Sequence, residues 1–368
     1  MTEIKPFRID IPQADLDDLA DRLARTRFTE ELPDAGTDYG VPVSRVRELV
    51  EYWRDSHDWR ALERRLNAHP QFTTEIDGQN IHFLHVRSAD EDAFPLLLTH
   101  GWPGSVVEFL DVIGPLTDPR GHGADGPAFH LVIPSIPGFG FSGPTRERGW
   151  NRYRVAAAWA ALMARLGYER YGAVGNDGGS LISPEVGRID PEHVAGVHVT
   201  QIFSFPSGDP AELADLTEEE SAALAHLQWF WEKMGAFNTL QAQQPQTLAH
   251  ALADSPAGLL GWNGQLLAGQ DDEFTVANIA IYWLTGTAGS AARFYYEDGH
   301  AEHPTEPTTV PIGLAGFAND FQSIRRFADR DHKNIVSWNT YESGGHYAAH
   351  EEPELLAADI RAFFGSLR

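Results

Sequence analysis

The stretch Tyr171–Ile182, YGAVGNDGGSLI, decides the fold. Its first half, Tyr171-Gly172-Ala173-Val174, is a short apolar run of strand type. Its second half reads as the start of a helix. Between them Gly175, Gly178 and Gly179 surround one reactive side chain, Asp177. A sharp strand-to-helix corner exposes its apex residue only where the neighbours are small, because backbone packs against backbone there. At a helix N-terminus, free N–H groups and the helix dipole favour a carboxylate in its charged form. Asp177 therefore reads either as an ionised nucleophile or as a plain helix cap, and the turn alone does not choose between them.

The flanking sequence repeats the pattern of strand, loop and helix. FPLLLTH and FHLVIPSIPGFG read as buried strands. NRYRVAAAWAALMARLG reads as a helix capped by Asn151 and stopped at Gly167, and VAGVHVTQI as the next strand. Such alternation predicts a parallel α/β sheet. It stops after Phe205. Residues 206–300 read as helical and aromatic-rich, with LQWFWEKMGAF and NIAIYWLTGTAGSAARFYY. Strand character returns in TVPIGLAGF and NIVSWNTY, and the chain ends in a helix, EPELLAADIRAFFGSL. Upstream, Leu16, Leu19, Leu23 and Phe28 recur near a helical period. A second helix, with Ser44 as its N-cap, places Val46, Leu49, Val50 and Trp53 on one face. FTTEIDGQNIHFLHV alternates with period two around Asp77-Gly78, the signature of a hairpin. The predicted organisation is a mainly helical extension (1–92), the first part of a core (93–205), a helical lid (206–300) and the second part of the core (301–368).

The chain has 368 residues, no cysteine, and a formal charge of −25. Disulfides, thiolate catalysis and cysteine metal sites are excluded. The acidic balance repels phosphate backbones and anionic membranes, so no nucleic-acid partner is expected. No apolar run reaches the ~18 residues of a membrane span. The N-terminal MTEIKPFRIDIP lacks the features of a signal peptide, and a cytoplasmic location is expected. His300 and His303, in HAEH, lack a third ligand, so no metal is expected. No phosphate-loop motif occurs, and the glycines of PGFGFSG read as turns.

Two further loops carry reactive groups at strand ends, where an α/β sheet places its active site. HGWPGS (100–105) follows the strand PLLLT and resembles the oxyanion-hole loop of α/β-hydrolases. In that reading the backbone N–H groups of Trp102 and Gly178 stabilise an oxyanion, while His100 is structural. GGHYAAHEEP (344–353) places His346 after two glycines and before the terminal helix; His350 reads as structural or surface. FAND supplies Asp320 after TVPIGLAGF. The order is nucleophile, acid, histidine. An aspartate nucleophile suits attack at an sp³ carbon, because the resulting ester has a carbonyl that water can cleave. A serine would leave an ether, with no carbonyl to hydrolyse.

Over nearly its whole length the chain resembles the microsomal-type epoxide hydrolases, which are α/β-hydrolases with an N-terminal extension. THGWPGS, PSIPGFGFS, LTGTAGSAARFYY and GGHYAAHEEPELLAADIRAFF fall in the family's order. The resemblance implies Asp177 as nucleophile, His346 as general base, Asp320 as the acid that orients it, and Tyr295 as a lid tyrosine that hydrogen-bonds the epoxide oxygen. It implies an apolar small-molecule epoxide and water as substrates, no cofactor and no membrane anchor, and it allows a homodimer. Two positions depart from the family. Phe237 stands where the second lid tyrosine is expected, and Gly178 stands where most members carry an aromatic residue. Phe237, Tyr296 and Trp229 are pocket candidates, though Tyr296 and the Trp229–Trp231 run also read as packing. Two other readings stay open: a dehalogenase-type displacement by Asp177, with Trp102 and Asn176 near the right loops, and a binding protein on a hydrolase scaffold.

Overall fold

The computed structural model describes residues 3–367. Nine strands among them form one sheet: β1 (Lys5–Phe7), β2 (Gln71–Ile76), β3 (Gln79–Val86), β4 (Phe94–Thr99), β5 (Phe129–Pro134), β6 (Tyr171–Gly175), β7 (Val194–Val199), β8 (Ile312–Asn319) and β9 (Ile335–Gly345). Their spatial order is β1-β2-β3-β5-β4-β6-β7-β8-β9. From β5 to β9 every neighbouring pair is parallel. Leu96, Leu97 and Leu98 of β4 and Leu131, Val132 and Ile133 of β5 are fully buried. Uninterrupted apolar runs are what parallel strands covered on both faces require.

The N-terminal helices are α1 (Gln13–Ala24), α2 (Val43–Asp55) and α3 (Trp59–Asn67). Leu19 and Leu23 of α1 and Leu49, Val50 and Trp53 of α2 are buried, whereas Phe28 lies beyond the end of α1. Ser44 is not the N-cap: α2 opens directly after Pro42, whose ring fixes φ near −59°, and Ser44 falls in the first turn. β2 and β3 pair antiparallel across Asp77-Gly78, both at positive φ. β3 in turn pairs antiparallel with β5. The extension is thus mainly helical, but its three strands continue the core sheet, so residue 92 marks no break in it.

α4 (Leu110–Thr117), α5 (Arg152–Arg165) and α6 (Gly178–Ile189) flank the sheet. The Asn151 side chain caps α5 by accepting from the N–H groups of Tyr153 and Arg154. Between β7 and β8 come α7 (Glu218–Lys233), α8 (Ala236–Gln243), α9 (Pro245–Asp254), α10 (Pro256–Gly264), α11 (Asp272–Leu284) and α12 (Ala288–Gly299). α11 is buried at every residue from Phe274 to Tyr282, so it is a core helix beneath the lid rather than part of its surface. α10 and α11 pack on α2, which ties the insert to the extension. α13 (Arg325–Asp331) joins β8 to β9, and α14 (Ala348–Glu351) and α15 (Pro353–Ser366) close the chain. No helix of the described residues is long and apolar enough to cross a membrane.

Candidate active site

The corner between β6 and α6 is built by two glycines. A side chain at Gly179 would begin 1.8 Å from the Thr99 carbonyl oxygen, and one at Gly175 would begin 2.0 Å from the Gly179 carbonyl oxygen. Gly178 is different: a Cβ there meets nothing closer than the Gly101 Cα, at 3.4 Å, which is ordinary contact. The turn therefore does not require glycine at 178. Asp177 sits at the apex with φ 51° and ψ −116°. Its backbone N–H donates to Gln201 Oε1 (2.8 Å), and its Oδ1 accepts from the Trp102 N–H (2.9 Å).

The HGWPGS loop presses its backbone onto this carboxylate. A Cβ at Gly101 would lie 2.0 Å from Asp177 Oδ1 and 2.4 Å from the Gly178 nitrogen. The Trp102 N–H donates to this carboxylate, and the Gly178 nitrogen packs against the same Gly101. His100 holds the loop to its neighbour: its Nε2 accepts from the Ile136 N–H, while Nδ1–H faces the Gly101 carbonyl.

His346, one residue past β9, joins two carboxylates. Its Nδ1 lies 2.8 Å from Asp320 Oδ1 and its Nε2 lies 3.6 Å from Asp177 Oδ2. Burial opposes protonation of this imidazole, but the charges and hydrogen bonds of Asp320 and Asp177 outweigh it and hold its pKa well above the usual value. Asp320, only 5% exposed, also accepts from Gln201 Nε2. On the lid side, Tyr295 of α12 packs edge-on against Trp102 (5.8 Å) and Phe237 (5.9 Å), and Phe237 stacks on Trp102 (5.5 Å). Burial, and then the Asp177 charge, raise the Tyr295 pKa well above the usual value, so this phenol keeps its proton.

The chain matches two family models, "Epoxide hydrolase N terminus" over residues 4–109 and "alpha/beta hydrolase fold" over residues 95–353. It is 42% identical to a putative epoxide hydrolase of Stigmatella aurantiaca, over 99% of this chain and 86% of that one. This chain belongs to the epoxide hydrolase family. The epoxide hydrolase 1 of Sus scrofa is 33% identical over 99% of this chain and 89% of its own length. Among solved structures, the juvenile hormone epoxide hydrolase of Bombyx mori superposes with a TM-score of 0.92 at 27% identity, covering 100% of this chain and 95% of that one. The Aspergillus niger epoxide hydrolase gives a TM-score of 0.87 at 29% identity, covering 100% and 97%.

Not every expected pocket residue of this epoxide hydrolase faces the pocket. Trp229 is 50% exposed and stacks on His226; Tyr296 is 38% exposed and stacks on His300. Consecutive helical residues point about 100° apart, so a run of three rings cannot all face inward. Phe230 packs on the core and touches Phe237, while Trp229 and Trp231 stay outside. Asn176 also turns away from the displacement chemistry: its Nδ2 donates to Glu108 and its Oδ1 accepts from Thr200 and Gln201. His350 bridges Asp111 and Asp271. Gln201 escaped sequence reading, since nothing in VHVTQI marks a polar residue as more than a strand end. Its side chain links Asp177, Asn176 and Asp320.

Proposed function

We propose that this epoxide hydrolase opens an apolar epoxide through an alkyl ester on Asp177 and cleaves that ester with water activated by His346. The observation that carries the reading is the chain of contacts Asp320–His346–Asp177, with the Trp102 N–H already on Asp177 Oδ1. That donor occupies Oδ1, leaving Oδ2 as the attacking oxygen. Oδ2 bonds to a ring carbon, the carbon–oxygen bond of the epoxide breaks, and the ring oxygen takes the Tyr295 proton. Esterification removes the Asp177 charge, one of the causes that keep His346 protonated. His346 then gives up its proton, restores the phenol, and becomes the base for the second step. It takes a proton from water, and the water oxygen bonds to Asp177 Cγ. The N–H groups of Trp102 and Gly178 receive the oxyanion. Collapse breaks the bond from Cγ to Oδ2, and the diol leaves.

The rings of Trp102, Phe237 and Tyr295, packed on one another, support an apolar substrate. A single turnover in oxygen-labelled water tests the route. Label is expected in the Asp177 carboxylate, while the first diol carries an unlabelled oxygen from the protein. Label in that diol with none in Asp177 overturns the ester.

A further inference from the structure

Two buried oxygens near Asp177 have no hydrogen-bond partner among the described residues: Glu108 Oε2 and the hydroxyl of Tyr347. Glu108 is 1% exposed and Tyr347 2%. Folded interiors rarely leave such groups unpaired, because each has lost its hydration without a replacement. The two share one neighbourhood. Burial raises both pKa values well above the usual; His346 then acts on Glu108, Glu108 acts on Tyr347, and Asp177 acts on both.

The surroundings hold both groups in place. Glu108 Oε1 accepts from Asn176 Nδ2 (3.3 Å), and Asn176 is itself fixed by Thr200 and Gln201. Glu108 Oε2 lies against Gly104, 2.3 Å from where a side chain there would begin. The Tyr347 ring stands edge-on to His346 (5.0 Å) and to Phe274 (5.1 Å). The nearby buried phenol of Tyr282 is already paired, donating to the Gly104 carbonyl (2.6 Å). Glu108 Oε2 and the Tyr347 hydroxyl therefore each remain without a partner among the described residues, in the neighbourhood of the base and the nucleophile.

We propose that Glu108 and Tyr347 hold the hydrolytic water against His346 for cleavage of the ester. The inference rests on the alkyl-ester route above. A water poised for this step gives one proton to His346 Nε2 and directs one lone pair at Asp177 Cγ. Its second proton needs an acceptor and its other lone pair can take a donor. A neutral Glu108 carboxyl and the Tyr347 hydroxyl together supply both. The bond that forms joins the water oxygen to Cγ; the bond that breaks joins Cγ to Oδ2, and the proton held by His346 goes to the departing alkoxide.

The test uses the full chain and three variants, Tyr347→Phe, Glu108→Leu and Glu108→Gln, followed by rapid acid quench and intact mass. Tyr347→Phe and Glu108→Leu are expected to slow ester hydrolysis about 10- to 100-fold, so that the ester accumulates, while ester formation changes far less. Glu108→Gln keeps a donor and an acceptor and is expected to retain most of the hydrolysis rate. A merely structural role would instead shift both steps together, or move the melting temperature without separating them. Ester hydrolysis at the wild-type rate in Tyr347→Phe, which loses a single oxygen, overturns the proposal. A wild-type enzyme that forms no ester and takes no label into Asp177 overturns the route on which it rests, a separate result.

Discussion

Asp177 adopts φ 51° and ψ −116°, a backbone state that costs a residue bearing a side chain about 1–3 kcal/mol. The fold holds it there by the Gln201 bond to its N–H and by the glycines on either side. Together with Asp320, the same carboxylate outweighs burial and raises the pKa of the neighbouring His346 ring. Phe237 makes the sharpest case at this scale. Its ring lies against Tyr295 and Trp102 but carries no donor. Phe237→Tyr would add a second phenol near the leaving oxygen, and ester formation is expected to speed up by as much as about 10²-fold, with ester hydrolysis unchanged. Stopped-flow measurement of the two phases checks this; an unaltered first phase would show that the added hydroxyl does not reach the leaving oxygen. Asp177, Asp320 and His346 were legible in the sequence because each follows a strand and carries a reactive group. Glu108, Gln201 and Tyr347 were not, because a polar residue at a strand end or in a helical turn looks the same whether it is solvated or buried.

The strand-to-helix corner is one element with unequal glycines. Gly179 faces the Thr99 carbonyl oxygen, which is backbone and cannot move aside, whereas Gly178 faces open contact. Gly179→Ala is expected to lower the melting temperature sharply and abolish turnover. Gly178→Ala is expected to fold like the wild type, and larger side chains at 178 to raise the KM for bulky epoxides more than for small ones. Thermal melts and a substrate-size series measure both. Elements whose ends carry local signals were readable in advance: Asn151 caps α5, and Asp77-Gly78 turns the β2–β3 hairpin. α7 was less so. Its mixed polar and aromatic pattern marks a helix but not which ring faces the core, a choice made by the neighbouring helices.

The whole molecule places several histidines in buried or part-buried surroundings. Burial is the main cause lowering His82 to about 3 and His100 to about 4, and His332 also falls to about 4. Their folded pKa values lie below the unfolded value near 6.5, so between these limits the unfolded chain binds more protons. The stability they contribute is complete above about 6.5 and is lost as the pH falls toward about 4. His346 and His350, with raised pKa values, act in the opposite sense: their contribution is present below about 6.5 and fades as the pH rises through their folded values. The buried set is expected to dominate, and melting temperatures measured from pH 7 to pH 4 should fall; a flat profile would contradict it. The order β1-β2-β3-β5-β4-β6-β7-β8-β9 likewise belongs to this scale. By itself the sequence determined the α/β alternation, the strand-end positions of Asp177, Asp320 and His346, and the aromatic insert between β7 and β8, because periodicity, glycine spacing and residue chemistry are local properties. Only the tertiary structure decided that the extension's strands join the core sheet, that α11 is buried from Phe274 to Tyr282, that Trp229 and Tyr296 face outward, and that Glu108 and Tyr347 are buried in the neighbourhood of Asp177. Those outcomes depend on contacts between residues far apart in the chain, and no local pattern encodes which of them close.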